Sequence, residues 1–368
     1  MDHIDAELAL LHKKGLLRRL QPVQGIDFAS NDYLGLARNS EIKKRLIGYL
    51  EATDFIGATG SRLISGENEQ TQATEEFLSH IFKVESSLVF GSGYLANVGV
   101  ITALADDQTE IFSDQLNHAS LIDGIRLSKA KSFIFSHNNL QHLQDLLAKS
   151  QALRKIVVIE SVYSMDGDSP DLKSIIEICN QHDAFLIVDE AHATGVYGTQ
   201  GLGMMEDLSY NIEKTIVIHT CGKALGCYGA FITSSQTVRN LMINKARSFI
   251  YSTALPPLIL AQICLSFEYL LQNPDLRGQL SKNIDYAHRL FKAADINISG
   301  HHIAPILYPG NKQVLVAAEK LQHAGLNIKA IRSPTVREGS ERLRVTFKSF
   351  HTQEQIRFFA DQVVKVLQ

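Results

Sequence analysis

Lys223 lies between glycines in VIHTCGKALG, at the end of an apolar run. Most lysines in such a place are solvated surface residues. Other polar groups follow apolar runs in the same manner, however. Asp189 and His192 lie in LIVDEAHATG, Ser164 and Asp166 in ESVYSMDGD, His118 in SDQLNHASL, and Thr220 in HTCGKALG just before Lys223. Singly, each has a plain explanation: His118 can cap a helix, and Ser164 and Asp166 can make a turn. Asp189 is harder to dismiss, because four apolar residues precede it and a buried carboxylate needs a cation or several donors. Together these groups offer an amine, a carboxylate, imidazoles and hydroxyls, a set able to hold one small molecule and move protons on it.

A repeating frame must position them. From about residue 85 short apolar runs alternate with helical segments: SLVF (87–90), EIFSD (110–114), KSFIF (131–135), KIVVIES (155–161), AFLIVDEA (184–191), TIVIHT (215–220) and GAFITS (229–234). GSGYLANVGVITAL reads as a glycine turn entering a helix, and another helix runs through 119–129. Continuous apolar runs suit strands covered by helices on both faces. The expected architecture is α/β, with an open, mostly parallel central sheet. In such sheets ligands sit beyond the carboxyl ends of the strands, which is where the polar set falls. Residues 1–20 read as an amphipathic helix, and Asn31-Asp32 opens a turn. Pro256-Pro257 breaks the pattern, and helices, APILYP, a helix over 311–324, IKAIRSPTV, ERLRVTF and a helix from Thr352 make an α+β segment. The expected division is an N-terminal helix and arm over 1–40, a large α/β domain over 41–265 and a smaller C-terminal α+β domain over 266–368.

Composition narrows the class. The 368 residues are 45% hydrophobic with net charge −3, which suits a large core and gives no general case for nucleic acid. The four cysteines (Cys179, Cys221, Cys227 and Cys264) form no CxxC pair and no metal spacing, as expected of reduced packing residues in a cytosolic protein. The charged N-terminal segment does not read as a signal peptide, and no apolar run is long enough for a bilayer.

Gly91-Ser92-Gly93-Tyr94-Leu95-Ala96 fits GxGxxA, with Asp114 21 positions beyond Gly93, the pattern of a dinucleotide fingerprint. Alone it suggests NAD. Short glycine patterns are common, though, a tight packing turn explains them as well, and free N–H groups at a helix N-terminus bind any phosphate. A metal on His118, Asp189 and His192 would leave Lys223 and the glycine turn without purpose. Pyridoxal phosphate uses the whole set: Lys223 for the Schiff base, Asp189 for the ring nitrogen, His118 over the ring face, His192 near the ring and the glycine turn for phosphate. The glycines beside Lys223 then read as clearance for cofactor and substrate.

SNDYLGL (30–36), GATGSRLISG (57–66), LNHASLIDG (116–124), YSMDGD (163–168), VDEAHATGVYG (188–198) and TCGKALG (220–226) resemble the α-oxoamine synthases, fold-type I pyridoxal phosphate enzymes. The likeness runs in order over nearly the whole chain. It implies catalytic roles for Lys223, His118 and Asp189, and cofactor contacts from these three with Gly93, Tyr94, Ser164, His192 and Thr220. It places Arg18, Asn31, His118, Arg332, Thr335 and Arg344 on substrate, with no metal. GSRLISG, IYSTALPP (250–257) and AIRSPTVREGSERLRVTF (330–347) imply decarboxylative condensation of L-alanine with a pimeloyl thioester, carried by coenzyme A or acyl carrier protein. A relative joining glycine to acetyl-coenzyme A is the nearest rival, and a non-catalytic partner subunit is a rival of another class. The family also implies a homodimer, with Ser252 and Thr253 reaching the neighbour's phosphate. Thr71 stands where the family usually has histidine, and Cys221 where Phe or Leu is commoner.

Lys13, Lys14, Arg18 and Arg19 cluster in HKKGLLRRL within an otherwise slightly acidic chain. A solvated helix face explains this, as does contact with coenzyme A phosphates or an acidic carrier. Under the second reading, neutralising Lys13 and Lys14 raises the apparent KM for the thioester at low salt, where screening is weak. An unchanged KM in steady-state assays ends that reading.

Overall fold

The computed structural model describes residues 2–18, 20 and 22–367. Helix α1 (Asp2–Lys13) and the two-residue strand β1 (Ile26–Asp27) open the chain, and α2 (Ser40–Ala52) and α3 (Glu69–Phe82) lead to β2 (Ser86–Phe90). The alternating region continues as α4 (Gly93–Leu104), β3 (Thr109–Asp114), α5 (Ala119–Ser128), β4 (Lys131–Phe135), α6 (Leu140–Lys149), β5 (Arg154–Glu160), α7 (Leu172–Gln181), β6 (Phe185–Asp189), β7 (Thr215–Thr220) and β8 (Ala230–Ser234). Then come α8 (Gln236–Lys245), α9 (Arg247–Ile250), α10 (Pro257–Gln272) and α11 (Asp275–Ala293). The last elements are β9 (Ile303–Leu307), α12 (Asn311–His323), β10 (Leu326–Asn327), β11 (Lys329–Ile331), β12 (Arg342–Thr346) and α13 (Gln353–Leu367). Helix α1 is shorter than the expected 1–20 because Gly15 takes a left-handed φ of 65°, the usual way a helix is stopped.

The chain divides into two units: Asn31–Ser164 with Asp168–Gly278, and Met1–Ser30 with Met165–Gly167 and Gln279–Gln368. A break at 265/266 would fall inside α10, which packs on α2 and α3. Residues 1–30 do not form a separate arm, since β1 pairs in parallel with β10. In that same unit the buried Lys348 lies 3.6 Å from Asp27, and β9, β11 and β12 form an antiparallel sheet. The Lys348 charge and hydrogen bonds from Ser30 and Ala29 hold the Asp27 carboxyl well below its ordinary value, although burial opposes them.

The larger unit holds a sheet of order β2-β8-β7-β6-β5-β3-β4, seven strands among the described residues. Strand β8 runs antiparallel to both β2 and β7, and the other pairings are parallel. Strand alternation sends successive side chains to opposite faces. Ile156, Val158, Ile187, Ile216 and Ile218 join one buried cluster with α4, α5 and α8. Val157, Ile159, Leu186, Val188 and Val217 join another with α6 and α7. Continuing the first parity to the strand ends brings Glu160, Asp189 and Thr220 onto the α4/α5 face.

The GSRLISG segment forms a single π-helical turn over Arg62–Gly66. Arg62 Nη2 donates to Glu75 at 3.2 Å, Arg239 Nη2 donates to the same carboxylate at 2.7 Å, and Val89 N donates to it at 2.9 Å. Glu75 thereby ties the turn, α3, β2 and α8 together. Glu75→Ala removes the acceptor that two guanidiniums and an amide share, leaving Arg62 with Glu67 and Arg239 with Ser87 O. A loss of about 3 kcal/mol is expected in denaturant unfolding, and a change below about 0.5 kcal/mol would mark the cluster as energetically a surface one.

Candidate active site

Asp189 ends β6 and is 5% exposed. Its Oδ2 accepts from Asn97 Nδ2 at 2.7 Å, and its Oδ1 accepts from Ala191 N at 2.8 Å. Asn97 comes from α4, one turn after Gly93, and also donates to Ser120 Oγ at 2.8 Å. Ser120 Oγ lies 2.8 Å from His118 Nδ1, which accepts from Ser120 N at 3.2 Å. His118 is therefore the cap of α5 as well as a wall of the cavity; the two explanations hold together. Its backbone N–H donates to Glu160 Oε1 at 2.6 Å.

The amine completes the arrangement. Lys223 comes after β7 in a loop closed by Cys227 N to Cys221 O at 2.9 Å. Its Nζ lies 2.7 Å from His192 Nε2, His192 Nδ1 lies 2.6 Å from Tyr33 Oη, and Tyr33 donates to Asn31 Oδ1 at 3.1 Å. That series links the Lys223 amine to the Asn31 side chain. A cavity of about 150 Å³ is lined by Lys223, Asp189, His118, His192, Thr220 and Gly93, with Glu160 and Asn97 in its wall. At the glycine turn Ser92 Oγ caps α4 by accepting from Leu95 N. A Cβ on Gly93 would come within 2.4 Å of Thr220 Oγ1, so only glycine leaves the hydroxyl and the helix N-terminus side by side.

Electrostatics follows from burial. Burial pushes the Glu160 carboxyl up to about 8, with the Asp189 charge adding to it. Burial also holds the His118 imidazole below its ordinary value, against the pull of Asp189 and with the help of Lys223. The cavity wall thus contains an acid and an imidazole that are both neutral near pH 7.

Other expected residues fall elsewhere. Ser164 is buried but is not among the described residues lining the cavity. Asp166 pairs with Arg342 at 2.5 Å. Tyr94 opens α4 and directs its hydroxyl to Asp123 at 2.7 Å. Arg18 donates to Thr335 Oγ1 at 3.4 Å, and Arg332 donates to Gly15 O, so these three come together in their own unit. Arg344 is buried on β12, and Arg19 lies outside the described residues. The clearance expected of the glycines is corrected at Gly226, where a Cβ would strike Ala37 N at 2.1 Å; at Gly222 a Cβ would make only ordinary contacts. Gly226 makes room for backbone, not for a ligand. Asp114 has the wrong parity for the cavity, and its oxygens already accept from Leu116 N and Asn138 N, which removes the dinucleotide reading. Cys221 and Thr71 are fully buried, and all four cysteines are free thiols. Among the described residues no cluster could hold a metal ion, and no helix is long and apolar enough to cross a membrane.

Glu160, Asn97, Ser120 and Tyr33 were not singled out from sequence. Glu160 ends its strand in register with Asp189, so the rule that found Asp189 also reaches it. Asn97 is one helical turn past Gly93, and Tyr33 stands in SNDYLGL.

The model of the aminotransferase class I and II family matches residues 23–363. A protein of Aquifex aeolicus (strain VF5) named "Putative 8-amino-7-oxononanoate synthase" is 37% identical over 100% of this chain and 99% of its own. A serine palmitoyltransferase from S. paucimobilis, solved with bound PLP–myriocin aldimine, superposes with a TM-score of 0.90 at 25% identity, covering 99% of this chain and 96% of its own. The 8-amino-7-oxononanoate synthase of Francisella tularensis gives 0.81 at 28% identity, with coverage of 93% and 98%.

Glu160 makes a pH prediction. Its folded value is about 8 against an ordinary 4.5, so between those values the folded state binds more protons than the unfolded one. The contribution is complete below about 4.5 and is lost as pH rises through about 8. Glu190, likewise raised by burial, acts in the same window. Glu160→Gln stays neutral and still accepts from His118 N. Its denaturant midpoint should fall less over this window than the parent's, and parallel declines would show that Glu160 does not carry the proton.

Proposed function

Because the chain belongs to the aminotransferase class I and II family, we propose that it is a pyridoxal phosphate-dependent α-oxoamine synthase. In this reading it condenses L-alanine with a pimeloyl thioester to give 8-amino-7-oxononanoate, CO2 and free thiol, a step of biotin formation. The observation that carries the reading is the Lys223 amine, 2.7 Å from His192, in a cavity that also holds the Asp189 carboxylate. The residues fit the cofactor. Gly93 and Thr220 form a cradle that any Cβ would fill, and Asp189, held by Asn97 and Ala191, lines the same cavity.

Bound there, pyridoxal phosphate supplies a ring that withdraws electrons from the α-carbon of an attached amino acid. The chain's residues do the rest. Lys223 attaches the cofactor and is the base at the α-carbon of alanine. His192 and Tyr33 give its proton a defined neighbour. Asp189 keeps a proton on the ring nitrogen. Thr220, Gly93 and Tyr94 take the phosphate at the start of α4, where free N–H groups and the helix dipole favour an anion. The neutral His118 would cover the ring face and give a hydrogen bond from its one N–H to the thioester oxygen. Ser164 and His192 serve the phenolic oxygen. Asn31 and Arg344 are assigned to the alanine carboxylate, and Arg18, Arg332 and Thr335 to the substrate, with Arg18 at its carboxylate. The active form is proposed as a homodimer, with Ser252 and Thr253 at the neighbour's phosphate. Exposed Phe55, Ile64 and Tyr251 give such an interface apolar surface.

Purified protein should be yellow and should turn over alanine with a pimeloyl thioester in a panel of alanine, glycine and serine against pimeloyl and acetyl thioesters. Lys223→Ala should lower kcat at least about 100-fold. Turnover of glycine with acetyl-coenzyme A alone would replace the substrate assignment with that of a glycine C-acetyltransferase. A colourless protein that ignores added cofactor would sink the class.

A further inference from the structure

His137 lies outside the cavity, two residues beyond edge strand β4, on the face of the sheet where Phe112 and Phe135 pack. Its Nδ1 lies 2.8 Å from Asp114 Oδ1 and its Nε2 lies 2.8 Å from Asp168 Oδ2. The next residue repeats both contacts. Asn138, held in the left-handed region at φ 54°, donates its backbone N–H to Asp114 Oδ2 at 3.0 Å and its side-chain amide to Asp168 Oδ2 at 2.8 Å. A neutral imidazole has a single N–H, and would turn a lone pair toward one of the two carboxylates. The ring must therefore be an imidazolium. Burial works against that charge, yet the hydrogen bonds and charges of Asp114 and Asp168 push the value up to about 10.

Each aspartate anchors a different segment. Asp114 Oδ1 accepts from Leu116 N at 2.8 Å, and Asp114 O accepts from Asn117 N at 3.3 Å, fixing the turn that delivers His118. Asp168 O accepts from Tyr163 N at 2.9 Å, fixing the segment that carries Ser164. Tyr163 is 1% exposed and meets the His137 ring edge-on at 4.4 Å.

We infer that His137 is a positioning residue, an imidazolium clamp that fixes the turn carrying His118 and the segment carrying Ser164 from the far side of the sheet. Its relevance to the cofactor rests on the proposed function; the clamp itself does not. Two measurements keep these apart. Hydrogen exchange on the protein without added cofactor compares wild type with His137→Gln and with Asp168→Asn, a partly exposed site. Both variants should exchange about tenfold or more faster at 115–118 and at 161–164 together, the scale of one charge-assisted bond. Core strands β5 and β6 should be unaffected. If either segment keeps its protection, the clamp is disproved. Titration with pyridoxal phosphate, followed by its visible absorbance, should then show affinity weakened about tenfold in His137→Gln. This loss should shrink in a His118→Ala background. An equal factor in both backgrounds would mean that His137 does not act through His118. A wild type that never binds the cofactor would count against the proposed function, and hydrogen exchange alone would then decide for or against the clamp.

Discussion

The site depends on the two-residue period of parallel strands. Strands β5, β6 and β7 are in register, with Glu160 opposite Asp189 and Asp189 opposite Ile218. Because their alternate residues fill separate buried clusters, none of them can slip by one position without exchanging core for cavity. The apolar residues thus determine which polar side chains meet beyond the strand ends. Glu160, Asp189 and Thr220 emerge on the α4/α5 face, while Asp114 and His137 emerge on the other. A single parity separates the groups that can touch a ligand from those that can only brace the loops.

The same register creates an electrostatic problem. Two buried carboxyls at adjacent strand ends cannot both be charged at low cost. The surroundings resolve the conflict unequally. Asp189 has the Asn97 amide and the Ala191 N–H, while Glu160 has the His118 N–H and a value raised by burial. Glu160 is thereby held as an acid beside the hydrogen-bonded Asp189.

Much of this was legible in the residues. The apolar runs located the strands of the central sheet to within a residue or two, because a strand buried on both faces leaves an uninterrupted apolar signature; only the edge strand β4, largely exposed, was found without that burial. Lys223, Asp189, His118, His192 and Thr220 stood out as polar groups at or just past the ends of those runs. The remainder depended on contacts that strand ends do not reveal. Tyr33 reaches His192 across 159 positions of chain, and Asn97 sits on a helix whose apolar residues gave no hint of a polar inner face. The antiparallel direction of β8 was also hidden, since an apolar strand reads the same in either direction. The domain boundary was misplaced for a related reason: Pro256-Pro257 looks like a break but instead starts α10, proline being well suited to a first helical turn.

Gly226 has a consequence reaching past its own loop. Its α-carbon lies against the Leu36–Ala37 backbone so closely that a methyl group would collide with main chain, which cannot rotate away. SNDYLGL and TCGKALG, nearly two hundred residues apart, therefore behave as a lock and its key. Tyr33 and Lys223 ride on the two halves. A chimera that exchanged one of these segments alone with a distant relative would break this backbone fit and with it the seating of the Lys223 loop. The two stretches should be inherited, grafted or redesigned as a single part.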